Sequence, residues 1–385
     1  MEYSRLAESI TPSAIRKMME QAARMEHVIS LSVGEPDFIT EPAVLEAARN
    51  SMEKSTKYAP GPGFDALRDK YTDYLNRTIG SCYERDQVVV TNGGMAALYL
   101  SLKALLNPGD EVLLCAPYFS NYEGMVRMNG GKPVNIEVRE EDGFVLHPDI
   151  LRKHITPRSK VLLLNSPCNP TGAVIREDTL REIAEIACKY DLFVISDEVY
   201  RHLIYDEEEI VSIAVMPGMR ERCAVIDSVS KGFAMTGFRI GFVAGPRHFI
   251  SLIIKLTENV YSSVSSVSQY AAMAALDQGE NYRNYMVGEY QKRRNYLTER
   301  ISHMNGISCI RPRGAFYVFA NIKKTGLTAD EFAERLLMEK RVAVVPGTNF
   351  STNASGYIRI SYGASMEHLE EGMNRLEDFL NNLNI

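Results

Sequence analysis

Four short stretches of this 385-residue chain carry side chains that could do chemistry: Asn92-Gly93-Gly94, Asn165 to Asn169, Asp197, and Ser228 to Lys231. Each follows an apolar run of strand-like residues. In an α/β sheet, ligands gather at the carboxyl ends of the strands, so four polar strand ends point to one shared site. Taken singly, each stretch has more than one reading. Glycines at a helix start let the backbone approach a phosphate, and the exposed N–H groups favour an anion. A plain strand-to-helix turn uses the same residues. Asp197 could be a solvated loop carboxylate, a metal ligand or the partner of a buried cation. Lys231, in Ser228-Val229-Ser230-Lys231-Gly232, could be an ordinary surface charge. Arg239 stands inside the apolar stretch Thr236–Ala244, where an unpaired charge is costly, and an anionic ligand would supply its partner.

The elements that must position these groups are legible in the pattern. Val88–Thr91 reads as a strand, followed by a helix from about Met95 to Leu106 that Asn107-Pro108-Gly109-Asp110 stops. Further strands are expected at Glu111–Cys115, Lys160–Asn165, Leu192–Ser196, Cys223–Asp227 and Arg239–Ala244, with a helix marked by Leu180, Ile183, Ala184 and Ala187. Strands alternating with helices imply an α/β fold: a large domain with a mostly parallel central sheet flanked by helices. Beyond Asn284 the order changes to a long polar helix (Tyr285 to about Met304), short strands and a helix at Ala329–Lys340. A smaller α+β domain is expected there. The predicted division is residues 45–283 for the large domain, and 1–44 with 284–385 for the small one. Ser13 to Arg24 reads as an amphipathic helix, and Leu31 to Phe38 as turn-rich irregular chain.

Composition narrows the function classes. Lys and Arg number 43 against 49 Asp and Glu, a net charge of −6, which gives no reason to expect nucleic acid or an anionic membrane as a partner. No apolar run approaches the ~20 residues of a membrane helix. Met1 to Ile10 is charged and lacks a secretory apolar run, and the six cysteines form no CxxC pair, so a reduced, cytoplasmic protein is expected. The seven histidines show no metal-binding spacing, and no metal is expected.

The string from Ser228 to Gly241 (SVSKGFAMTGFRIG) resembles the lysine segment of the class I and II aminotransferases, which are fold type I pyridoxal-phosphate enzymes. Ser166-Pro167-Cys168-Asn169-Pro170-Thr171-Gly172, Ser196-Asp197-Glu198-Val199-Tyr200, Leu31 to Phe38 and Tyr357-Ile358-Arg359-Ile360-Ser361 match the same family in the same order. The resemblance implies pyridoxal 5'-phosphate as cofactor, with Lys231 bonding covalently to its aldehyde and later moving the substrate α-proton. It implies that Asp197 pairs with the pyridine nitrogen, that Tyr200 and Asn169 hydrogen-bond the ring's 3-oxygen, and that Phe119 stacks on the ring. Family members often have Trp or Tyr at that position. It further implies phosphate contacts from the Gly94–Met95 backbone, Ser228, Ser230 and Arg239. Arg359 would clamp the substrate α-carboxylate, with the Gly34 backbone beside it. Tyr58 matches a tyrosine that reaches the neighbouring subunit's phosphate, so a homodimer with shared active sites is implied.

The expected activity is amino transfer between an L-amino acid and a 2-oxo acid. A carbon–sulfur β-lyase on the same fold is the alternative, because fold does not settle reaction. A regulator that retains such a domain as a sensor is a remote alternative, since only ~30 residues precede the first motif, fewer than a DNA-binding module needs. Some aspartate-preferring relatives carry a lysine after the Gly-Gly pair. Met95 stands there in this chain, so neutral or aromatic donors are expected to be favoured over aspartate.

Overall fold

The computed structural model describes every residue except 11–17, 19, 21, 207, 384 and 385. In chain order the strands are β1 (Ile29–Ser30), β2 (Val88–Thr91), β3 (Glu111–Ala116), β4 (Lys132–Glu137), β5 (Ser159–Asn165), β6 (Phe193–Asp197), β7 (Cys223–Ser228), β8 (Gly241–Ala244), β9 (Ser308–Cys309), β10 (Tyr317–Asn321), β11 (Val342–Ala343), β12 (Val345–Pro346) and β13 (Tyr357–Ser361). Seven of them form the central sheet, in the order β2-β8-β7-β6-β5-β3-β4. All run parallel except β8, which is antiparallel to both β2 and β7.

The sheet is buried on both sides, which is why its central strands read as unbroken apolar runs. Successive side chains alternate between two cores. Val88, Val90, Leu113, Leu162, Val194, Val225 and Phe242 join one cluster, while Val89, Leu114, Leu163, Ile195, Ile226 and Val243 join the other. Helices Asp65–Ile79, Glu177–Lys189 and Ser266–Gln278 cover the first face, and helices Gly93–Leu105, Asn121–Met128 and Arg247–Val260 cover the second. Each fully buried aliphatic or aromatic side chain contributes roughly 1.5–3 kcal/mol. A third core holds Tyr290, Leu297, Phe316, Ile358, Leu369 and Phe379. It lies on the four-stranded antiparallel sheet β12-β13-β10-β9 and the helices Glu280–Ser302, Ala329–Lys340 and Met366–Asn381. The β1 strand joins this part by pairing parallel with β11.

The expected α/β architecture, with its mostly parallel sheet and separate small sheet, is the one observed. Element ends moved: the helix expected from Met95 starts two residues earlier at Gly93, and the long helix expected from Tyr285 starts five residues earlier at Glu280. The strand expected from Arg239 starts at Gly241, because Arg239 has a left-handed backbone (φ 56°) that closes the turn Thr236–Phe238. The β4 strand had no expectation attached; it is an edge strand with a proline and mixed burial, so its alternation is weak. The helix expected at Ser13 to Arg24 falls largely outside the described residues.

The β8 strand holds the turn after β2 at close range. Gly241 pairs with Thr91. A methyl group at Gly241 would lie 2.5 Å from the Gly93 carbonyl carbon and 2.7 Å from the Gly94 nitrogen. Gly241→Ala should therefore lose about 2 kcal/mol in urea unfolding. Gly124→Ala is the contrast, since its added methyl would meet nothing within 4 Å in the helix Asn121–Met128. That variant should gain about 0.5–1 kcal/mol. Equal effects at the two positions would show that the Gly241 contact is not tight.

Candidate active site

The carboxyl ends of β2, β5, β6 and β7 open into one cavity of about 280 Å³. Its wall includes Gly34, Gly94, Met95, Phe119, Asn169, Asp197, Tyr200, Ser228, Ser230, Lys231, Arg239 and Arg359. Twelve of the thirteen residues singled out from the sequence thus meet in one place. The exception is Tyr58, which is 93% exposed and lies outside this cavity.

The β6 strand ends at Asp197, which is only 3% exposed. Its Oδ2 accepts a hydrogen bond from the Tyr122 hydroxyl at 2.6 Å, and its Oδ1 accepts one from the Val199 N–H at 3.3 Å. No cation pairs with it among the described residues. Burial dominates and pushes the carboxyl up to about 6, against the opposing pull of the Tyr122 hydrogen bond. Lys231 sits in the single helical turn Val229–Gly232 that follows β7. Its amine donates to the Gly34 carbonyl at 2.5 Å. Burial lowers this amine to about 8, with Glu35 opposing and Arg359 and Arg239 reinforcing the shift. An amine poised so close to neutrality is available as a nucleophile and as a proton carrier.

Arg359 lies in the middle of β13 and is 1% exposed. Its guanidinium donates to Asn169 Oδ1 at 2.9 Å and to the Ser32 carbonyl at 2.5 Å. It stacks over the rings of Tyr317 at 4.4 Å and Phe350 at 5.0 Å. Its Nε is buried without a hydrogen-bond partner. No carboxylate pairs with it among the described residues, so its charge is unmatched and its Nε is left to donate.

Elsewhere on the wall, Gly93 has φ 80° and begins the helix Gly93–Leu105, whose first-turn residues Gly94 and Met95 line the cavity. A methyl group on Gly93 would lie 2.6 Å from Arg239 Nη2, so the arginine packs directly on the turn. Arg239 itself is exposed rather than inside an apolar strand, as the sequence had implied. Its Nη1 donates to the Thr236 carbonyl at 3.0 Å, and no carboxylate among the described residues pairs with it. The burial cost argued from the sequence therefore does not apply, but the missing anion does. Ser228 and Ser230 complete this part of the wall with hydroxyl oxygens 2.7 Å apart. Among the described residues no three His, Cys, Asp or Glu side chains converge as metal ligands.

Two groups in the site escaped the sequence reading. Tyr122 holds Asp197, and the Tyr317 hydroxyl lies 2.8 Å from that of Tyr200. Tyr317 lies in an apolar run and Tyr122 between Asn121 and Glu123, and no motif marked either one. Tyr122 lies in the first turn of the helix Asn121–Met128, just after Phe119, and nothing local marks its hydroxyl.

The description "Aminotransferase class I and II" matches residues 26–376 as a protein family. The chain is 42% identical to the aspartate aminotransferase of Pyrococcus abyssi over 388 residues, 99% of this chain and 98% of that protein. It is 39% identical to aromatic-amino-acid aminotransferase 2 of Thermococcus litoralis, over 99% of this chain and 98% of that one. The fold superposes on the Thermus thermophilus aspartate aminotransferase solved with maleate at a TM-score of 0.94, with 36% identity, over 99% of this chain and 100% of the other.

The raised Asp197 carboxyl has a consequence for stability. Its folded value of about 6 exceeds its unfolded one, so the group favours folding below about pH 4 and loses that contribution as pH rises through about 6. Asp197→Asn keeps the hydrogen-bond acceptor and removes the titration. In the ligand-free protein this variant should be more stable than the original by up to about 3 kcal/mol near pH 8, and by nothing measurable near pH 4. A stability difference that stays flat across that range in chemical denaturation would show that Asp197 is not held in a desolvated site.

Proposed function

Because the chain belongs to the class I and II aminotransferase family, a pyridoxal-phosphate-dependent family, we propose that it moves an amino group between an L-amino acid and a 2-oxo acid in a ping-pong cycle on that cofactor. The observation that carries this reading is the set of uncompensated charges on one cavity. A buried carboxylate without a cation, a buried guanidinium with a free Nε and an exposed arginine without an anion face the same space. Pyridoxal phosphate offers a protonatable ring nitrogen and a phosphate, and its amino-acid partner offers a carboxylate. The residues present fit both.

When bound, the pyridine ring supplies a sink for the electrons released at the substrate α-carbon, which no protein side chain offers. Asp197 would accept a hydrogen bond from the ring nitrogen and keep it protonated. Paired in this way, Asp197 would have its carboxyl drawn back down, offsetting its burial. Tyr200 and the amide NH₂ of Asn169 would donate to the 3-oxygen; the Asn169 oxygen is already committed to Arg359. Phe119 would cover the ring face. The Gly94–Met95 backbone, Ser228, Ser230 and Arg239 would hold the phosphate, joined by Tyr58 from a second subunit of a homodimer. Lys231 would bond to the cofactor's aldehyde carbon and, once displaced, carry the proton at the substrate α-carbon. Arg359 and the Gly34 backbone would orient the α-carboxylate. The division into residues 45–283 and residues 1–44 with 284–385 would leave Lys231 on the large unit and Arg359 on the small one, and the cytoplasm is the proposed location.

We propose neutral or aromatic donors over aspartate. Met95 follows the Gly-Gly turn on the cavity wall, and its thioether offers no charge to a distal carboxylate. It offers apolar surface instead, at about 25 cal/mol per Å² buried. Arg16, the basic residue on the N-terminal segment that could supply a charge, lies outside the described residues. The relatives include both aspartate and aromatic enzymes, so they support neither choice over the other.

The purified protein should be yellow with cofactor, and borohydride should fix the label at Lys231. Label on another lysine, or failure to take up cofactor, would overturn the assignment. Lys231→Ala should bind cofactor without turnover, and Asp197→Ala should lose several orders of magnitude in turnover with the fold intact. For the donor, Met95→Lys should improve kcat/KM for aspartate relative to phenylalanine. A wild type that already prefers aspartate tenfold over every neutral donor would refute the argument from Met95.

A further inference from the structure

We propose that Tyr317 is a positioning residue that sets the Tyr200 hydroxyl and the Arg359 guanidinium together, coupling the cofactor side of the cavity to the substrate side. The inference rests on the roles proposed above for Tyr200 and Arg359. Tyr317 opens β10 and is buried. On the facing strand, Ser361 is its direct partner and Arg359 pairs with Phe319, so Arg359 is the diagonal neighbour of Tyr317 on the same face. The Arg359 guanidinium lies over the Tyr317 ring, 4.4 Å from its centre. The Tyr317 hydroxyl reaches on to that of Tyr200 at 2.8 Å. It also occupies the space a methyl group on Gly34 would fill, so Gly34 is required for this approach. Three distant chain segments thus meet on one phenol.

Counting protons gives this contact a direction. Each phenol has one proton, and the Tyr317 hydroxyl has no other hydrogen-bond partner among the described residues. Once the Tyr200 proton is donated to an acceptor in the cavity, the remaining proton of the pair runs from Tyr317 to the Tyr200 oxygen. A hydroxyl that accepts a hydrogen bond becomes a stronger donor in turn. Tyr317 therefore strengthens the bond that Tyr200 makes, while its ring fixes the plane of Arg359. Ordinary core packing would predict neither effect.

The test uses the cofactor-loaded protein with the variants Y317F, Y200F, Y317F/Y200F and Y317L. The readouts are the pH midpoint of the visible absorption band and the dissociation constant for 3-phenylpropionate, a carboxylate that cannot react. Y317F should move the midpoint in the same direction as Y200F and by less, about half a pH unit. The double variant should match Y200F alone, because Tyr317 acts through Tyr200. Y317F keeps the ring and should bind 3-phenylpropionate normally, with kcat reduced and KM unchanged. Y317L loses the ring and should bind the probe about tenfold more weakly, with KM raised for every donor. A Y317F midpoint at the wild-type value, or a double variant whose shift is the sum of the two single shifts, would overturn the inference even if Y317L proves too unstable to assay. A wild type without a visible band would overturn the site reading itself, and this inference with it.

Discussion

A carboxylate buried without a counter-ion is the constraint on which this site depends. Asp197 lies at the end of a central strand, and among the described residues its carboxylate has only a phenol and one backbone N–H as hydrogen-bond partners. The neighbouring acids show that the fold can neutralise such charges when it does so. Glu198, the next residue, is equally buried. It is bound by Arg201 at 2.8 Å and accepts hydrogen bonds from Ser196 and Ser212 at 2.8 and 2.5 Å. Asp227, on the adjacent strand, accepts from Tyr71 and the Ser228 N–H, and Arg201 lies 3.7 Å away. Glu198 and Asp227 each have Arg201 beside them, while Asp197, which faces the cavity, has no cation among the described residues.

The same logic extends across the cavity. Lys231 is held against a carbonyl rather than a carboxylate, and Arg359 against an amide, a carbonyl and two rings. None of these partners carries a formal charge. Each of the two side chains is left without an opposite formal charge as its partner among the described residues. Stability is given up locally for binding, and the two large cores on either side of the central sheet supply the reserve that permits it.

Most of the site was legible because its residues stand at strand ends, and strand ends follow from apolar runs and the turns that stop them. Asp197, Lys231 and the Gly93-Gly94 turn all belong to this class. Arg359 was reached only through the resemblance of its segment, since an arginine in mid-strand carries no local signal of what it binds. Tyr122 and Tyr317 were missed because nothing in the neighbouring sequence marks a tyrosine hydroxyl as buried; its partner belongs to another element and is set by tertiary packing. Arg239 was noticed for the wrong reason. Its neighbours are apolar, but its backbone turns it outward before β8 begins. The edge strand β4 was lost to its proline and mixed burial.

The single reversed strand of the central sheet has a consequence for how the chain assembles. The β2 strand touches the rest of that sheet only through β8, so the turn at Gly93-Gly94 is anchored by residues that follow most of the large unit in sequence. During synthesis, β2 and the helix after it must wait without their sheet partner while β3 to β7 emerge. Contacts of such sequence separation form late and slowly. The Gly93-Gly94 turn is therefore completed last, and the packing of Gly241 and Arg239 against it marks a chain whose central sheet has closed.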